Sequence, residues 1–230
     1  MIAQTQFEER CAVRLISTAY IEEPAMAPLF DTWEEEAVLN ELEGLTSARR
    51  GSLALPDGVT AEELLHESYG YGWTLVNAAF CHARPPGNRF NDEHRGAWYA
   101  AFGEGAADTA EAEVSYHIAV ALKDAGAVEE LVAYRQILSS FACPMHDLRR
   151  EPDHPALAPE PASGYPVGQA LARQVRAQGG NGILYPSVRR TGGECVAVLR
   201  PSVIQNVRQG DMVLMEWDGQ AISRRVLAAA

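Results

Sequence analysis

Three polar residues stand where a purely structural sequence has no need of them, and their types suit chemistry on a charged substrate. Arg89, in Gly87-Asn88-Arg89-Phe90-Asn91-Asp92, offers a forked and permanently charged donor for an anion. Glu113 brings a carboxylate from a stretch with helical spacing, one turn before His117. Ser187 brings a hydroxyl to the end of the apolar run Gly182-Ile183-Leu184-Tyr185-Pro186. Each also has a plain structural explanation: a solvated loop charge, a polar helix-face residue, a turn former at a strand end.

Other chemistries lack their signatures. Gly103-Glu104-Gly105-Ala106-Ala107-Asp108 mimics part of a dinucleotide fingerprint, but the third glycine is missing and Asp108 would face a pyrophosphate with like charge. A capped helix is the better reading. Cys143 and His146 have the spacing of half a zinc site, and no second pair at comparable spacing completes it, so no metal is expected. No G-x-S-x-G elbow, P-loop or H-E-x-x-H occurs.

The surrounding composition narrows the class further. In 230 residues, 19 Lys and Arg face 31 Asp and Glu, a formal charge of −12 that disfavours a direct nucleic-acid partner. No apolar run approaches the ~20 residues of a membrane span. The opening MIAQTQFEERCAVR has neither a basic leader nor an apolar core, and four cysteines in a chain this long suggest reduced thiols. These features predict a cytoplasmic protein with no membrane partner. A 47% hydrophobic content is ample for a core.

The elements that must position the three residues follow from periodicity. CAVRLIST reads as a strand, and Trp33–Leu45 has helical spacing. Thr60 and Glu63 form a capping-box pattern for a helix through residues 61–70, and WTLVNAAFCHA is open between strand and helix. AWYAAF reads as a short strand. The clearest helix runs from Asp108, as N-cap with Glu111 at the third position, to about Ala125, with Gly126 beyond it. VEELVAYRQILSSF reads as a strand. Pro144 to Pro166 reads as a long surface loop, followed by an amphipathic helix over Val167–Gln178 closed by Gly179-Gly180. GILYPSV, ECVAVLRP and a hairpin turning at Asp218-Gly219 complete the chain. Without regular βαβ alternation, the expected class is α+β.

Taken together the motifs resemble the RES-domain family, named for Arg, Glu and Ser. Arg89-Phe90-Asn91-Asp92 leads to Trp98-Tyr99-Ala100-Ala101; Thr109 to His117 (TAEAEVSYH) matches the family's helix motif. Gly179 to Arg189 (GGNGILYPSVR), followed by Gly192-Gly193-Glu194-Cys195-Val196-Ala197-Val198, matches its glycine–serine segment, and Val13-Arg14-Leu15-Ile16 its N-terminal arginine strand. The likeness runs from about Arg14 to the Asp218 hairpin. It implies one RES domain over residues 1–230, with residues 20–80 a variable, partly helical insertion.

The resemblance implies a fold similar to the ADP-ribosyltransferases, a split and twisted β-sheet core with flanking helices around an NAD cleft. It implies a toxin of a type II toxin–antitoxin system that uses NAD+ as substrate, needs no metal, and is covered at its active site by an antitoxin of Xre/MbcA/ParS type. Glu113, Arg89 and Ser187 would be catalytic. Arg14 and Arg89 would bind the pyrophosphate and Arg189 would assist them. Ser187 would position ribose or nicotinamide, Tyr99 would stack or support the ribose, and His117 would orient Glu113. Long rim loops, Glu22–Thr32 and the Pro-rich segment, favour transfer of ADP-ribose to a protein acceptor. NAD+ hydrolysis or phosphorolysis without a protein target is the alternative, and a non-catalytic partner-binding module or an unrelated structural α+β protein are rivals of another class.

Overall fold

The structure, a computed structural model, describes residues 2–18 and 55–227, without the side chains of 225–227. The expected helix over Trp33–Leu45 and the rim loop Glu22–Thr32 lie outside the described residues.

Among the described residues, seven strands form one mixed sheet: β1 (Gln4–Ser17), β2 (Trp98–Phe102), β3 (Glu130–Asp147), β4 (Gly182–Pro186), β5 (Glu194–Val198), β6 (Gln205–Trp217) and β7 (Ile222–Leu227). Their order is β1-β2-β5-β4-β3-β6-β7, and β1 also pairs antiparallel with β3. The pairings therefore close a ring of five strands, with the β6–β7 hairpin as a wing on β3. The ring is weakest between β1 and β2, whose register is the single pair Val13–Ala101. Three helices pack on this sheet among the described residues: α1 (Trp73–Cys81), α2 (Ala106–Asp124) and α3 (Pro161–Ala177). The class is α+β, a sheet core with flanking helices.

Both faces of the central strands are buried, which is why they read as nearly unbroken apolar runs. Trp98, Ala100, Val196, Val198 and Leu184 point into one core with Val76 and Phe80 of α1. Ala101, Cys195, Ala197, Ile183 and Tyr185 point into the other, under Ala106, Ala110 and Ile118 of α2 and Ala172 and Val175 of α3.

Three local expectations are corrected. Residues 61–70 form two 3-10 turns, Ala61–Glu63 and Glu67–Tyr69, in place of a helix. Glu63 accepts from the Thr60 amide at 2.9 Å as the capping pattern requires. The chain cannot continue helically because the Asn77 side chain takes both the amide and the carbonyl of Leu65, each at 2.9 Å. Helix α2 begins at Ala106, with Gly105 as a left-handed cap, and Asp108 falls in its first turn, 2.8 Å from Arg224. A side chain at position 105 would run into Arg190. Glu111, expected to close a capping box, is buried and paired with Arg224 of β7.

The Pro-rich segment is the third correction. Pro144 continues β3 opposite Gln6, Pro155–Leu157 is a buried-faced 3-10 turn, and α3 starts at Pro161. Pro161 suits the first turn, where its missing N–H has no partner to lose. Pro166, expected to end the loop, lies inside the helix, where it forfeits one hydrogen bond.

Candidate active site

A cleft with about 840 Å³ of empty space opens beside β1, β2 and α2. Arg14, Arg89, Tyr99, Glu113, His117 and Arg189 all line it, so six of the seven expected site residues share one cavity. Ser187 does not line it, but its Oγ donates to Glu113 Oε1 at 2.6 Å.

Each side chain is placed by a local feature. Arg14 lies on β1 where the ladder to β2 is thinnest, and its Nη1 donates across the gap to the Tyr99 carbonyl at 3.1 Å. Its guanidinium lies 4.8 Å from the Trp98 ring centre, and its Nε is buried without a partner. Burial pushes it down to about 10, so it remains charged at neutral pH.

Arg89 is 6% exposed and donates from Nη1 to the carbonyls of Ala156 at 2.5 Å and Ala158 at 2.8 Å. Two glycines on one face of α3 admit it. A methyl at Gly164 would come within 2.8 Å of Arg89 Nη1, and one at Gly168 within 2.1 Å of the Arg89 carbonyl oxygen. Between them Tyr165 sets its ring 5.5 Å below the guanidinium. The Tyr99 hydroxyl fixes the same loop from the other side, accepting from the Phe90 amide at 2.8 Å and donating to Asn91 Oδ1 at 3.0 Å. Burial pushes this phenol up, which keeps it a donor.

Arg189 donates to the Pro159 carbonyl at 2.8 Å, with its guanidinium 3.4 Å over the Tyr116 ring. The Pro-rich segment is thus the wall that holds Arg89 and Arg189 through its carbonyls, and not a free rim loop. Glu113 takes its hydrogen bond from Ser187; among the described residues none joins it to His117, which was expected to orient it. His117 sits at the cleft edge, its imidazole held below its ordinary value by desolvation and then by the cations of Arg189 and Arg89. The Ser187 hydroxyl also accepts from the amides of Arg189 at 3.1 Å and Arg190 at 3.0 Å. It is a hub for the Glu113 carboxylate and the following turn.

Tyr165, Tyr185 and Cys195 also line the cleft and were not singled out in the sequence. Burial, with Glu113 nearby, pushes the Tyr185 phenol and the Cys195 thiol well up, so both stay protonated beside the carboxylate. The i, i+4 glycines 164 and 168 were the available signal for Tyr165, since such spacing lets a neighbouring backbone approach a helix closely. Among the described residues no group of His, Cys, Asp or Glu is arranged to hold a metal.

Among the described residues no carboxylate lies within ion-pair distance of Arg14, Arg89 or Arg189. Elsewhere Arg95, Arg149, Arg173 and Arg224 all pair with carboxylates. The cleft arginines are oriented by carbonyls and aromatic rings, which leave their charges free for a ligand.

A protein-family model of the RES domain matches residues 64–218. The chain belongs to the RES domain family. The matched stretch of this RES domain carries Arg89, Tyr99, Glu113, His117, Ser187 and Arg189, whereas Arg14 joins the cleft from β1, ahead of the match. A comparison with curated proteins finds no match to the chain. No helix among the described residues is long and apolar enough to cross a membrane.

Proposed function

We propose that this RES-domain protein is an NAD+-consuming enzyme that breaks the nicotinamide–ribose bond and passes ADP-ribose to a protein acceptor. The observation that carries the reading is the convergence of three carboxylate-free arginines and one hydroxyl-held glutamate on a single cleft. In a chain of charge −12, that arrangement suits a ligand with an anionic body and a reacting centre that turns cationic.

NAD+ has both. Its pyrophosphate would be held by Arg14 and Arg89, with Arg189 nearer the mouth. The bond between the anomeric carbon and the pyridinium nitrogen breaks with its electron pair going to nicotinamide, which leaves as a neutral base. Little acid catalysis is required. The positive charge left on the ribose is stabilised by Glu113, which Ser187 holds in place before the reaction begins. The acceptor then bonds to the anomeric carbon and loses its proton to Glu113 or to water. His117, held neutral, adds no repelling charge to the cation.

A second reading rests on the Pro-rich segment. Because it is folded into the cleft wall, one of the two loops expected to recognise a protein is engaged elsewhere, which favours water or phosphate as acceptor. In either case we propose the role of a toxin in a type II toxin–antitoxin pair, with an antitoxin of Xre/MbcA/ParS type covering the cleft; the family likeness supports this.

The test is incubation of the protein with labelled NAD+ and cell lysate. A labelled protein band indicates transfer; free ADP-ribose or its phosphate indicates hydrolysis or phosphorolysis. Glu113→Gln should abolish NAD+ loss and growth inhibition while leaving the fold intact, and a fully active variant overturns the assignment.

A further inference from the structure

A second, smaller pocket opens between α3 and the segment that follows Arg89, and it shares no lining residue with the cleft. Gln169, Arg173 and Arg176, at positions i, i+4 and i+7 of α3, form one wall; Asp92, Arg95 and Leu199 face them. Gln169 is engaged with the carbonyls of Pro86 and Asn88, at 2.9 and 3.1 Å. Arg173 bonds Asp92 at 2.9 Å, and Arg95 pairs with Glu63. Arg95 is 5% exposed and its Nε is buried without a partner.

Arg176 differs from its neighbours. Its one hydrogen bond is a 3.5 Å contact from Nη1 to the Gly58 carbonyl, and among the described residues no carboxylate is within ion-pair distance. Burial and the adjacent Arg95 cation hold its guanidinium below the ordinary value. Three guanidiniums therefore share two carboxylates, and Glu63 and Asp92 act on the half-buried Arg176 cation only from beyond ion-pair distance. Holding such a charge is unfavourable unless a counter-charge arrives.

We propose that this pocket binds a small oxyanion, inorganic phosphate or the phosphoryl group of a phosphomonoester, between Arg176 and Arg173 with Arg95 behind them. The enclosed part of the pocket has space for about one water molecule, so the oxyanion would sit at its mouth, with any attached moiety in solvent. The proposal does not rest on the NAD+ reading, because the two pockets are lined by different residues.

Thermal unfolding of the full chain, titrated with inorganic phosphate at constant ionic strength, tests it. The midpoint should rise and saturate. Arg176→Gln should weaken half-saturation at least tenfold, the usual consequence of losing a charge-assisted hydrogen bond. Arg189→Gln, which weakens anion binding in the cleft, should leave the Arg176-dependent part of the phosphate response in place. If Arg176→Gln does not fold, Arg173→Gln, at a more exposed residue, carries the same expectation. Titration with AMP separates the two sources: competition with phosphate identifies a phosphomonoester site, and no competition identifies free phosphate. A chain with no saturable response, a response as strong in the Arg176 or Arg173 variant as in wild type, or one lost in Arg189→Gln overturns the proposal.

Discussion

Replacing Ser187 with Ala separates two roles that a serine beside the glutamate proposed as catalytic can have. In the structure the hydroxyl faces Glu113 at 2.6 Å and two loop amides at 3.0 and 3.1 Å, and it does not line the cleft. A hydrogen bond to a carboxylate contributes about 1.5–3 kcal/mol. If Glu113 acts only in the transition state, losing its anchor should lower kcat about 10- to 150-fold at 1.36 kcal/mol per decade. KM should change little, because the proposed pyrophosphate contacts remain. Two amides losing an acceptor should reduce stability by about 1 kcal/mol, which urea unfolding would register. Glu113→Asp supplies the control: its shorter side chain already forfeits the 2.6 Å contact, so adding Ser187→Ala should cost almost nothing further. NAD+ turnover followed by nicotinamide release gives both constants. A rise in KM at constant kcat, or an undiminished loss in the Glu113→Asp background, would mean that Ser187 touches substrate directly, and the positioning argument would fail.

Arg89→Ala should lower kcat/KM by a factor equivalent to about 2–4 kcal/mol in an NAD+ turnover assay, and Arg89→Lys should recover only part, since one ammonium cannot reproduce the fork. Gly168→Ala places a methyl 2.1 Å from the Arg89 carbonyl oxygen, with backbone on both sides. It should destabilise the fold by about 1–3 kcal/mol in urea titration and reduce turnover along with it. Asp147 is buried and held below its ordinary value first by the Arg149 side chain, which meets it twice at 2.8 Å. A carboxyl depressed by folding adds stability that is present above its unfolded value of about 3.9 and is lost as pH falls through the folded value. Asp147→Asn should therefore be less stable than wild type at pH 7, with the gap closing on acidification; a gap that widens refutes the linkage.

The fold was legible where burial is symmetric. β2, β4 and β5 are covered on both faces, so their apolar runs identify them without reference to partners. It was less legible where a side chain from far along the chain decides the outcome. Residues 61–70 carry a helix-start pattern that Asn77 interrupts, and the stretch read as loop up to Pro166 is already helical from Pro161. The cleft followed the same division. Its residue types were readable from motif spacing, and all but Ser187 line one cavity. Their partners were not readable. Whether His117 or Ser187 holds Glu113 depends on the turn after β4 meeting the side of α2, a contact between positions 74 residues apart.

Partner choice also separates the cleft arginines from those that tie elements together, and an acidic chain makes the distinction sharp. With 31 carboxylates against 19 basic residues, an unpaired arginine is not a shortage of acids. Arg149 and Arg224 each meet two carboxylates and tie distant elements together. Arg14, Arg89 and Arg189 are equally well oriented, but by the carbonyls of Tyr99, Ala156, Ala158 and Pro159. A carbonyl fixes direction without cancelling charge, so the cleft retains a positive field that a carboxylate partner would have neutralised. Orientation without neutralisation costs stability in the free protein, most visibly in the depressed Arg14 guanidinium and its unpartnered Nε. In the proposed reaction an anion that completes those contacts recovers the cost on binding, and the recovered free energy would hold the substrate where Glu113 can act.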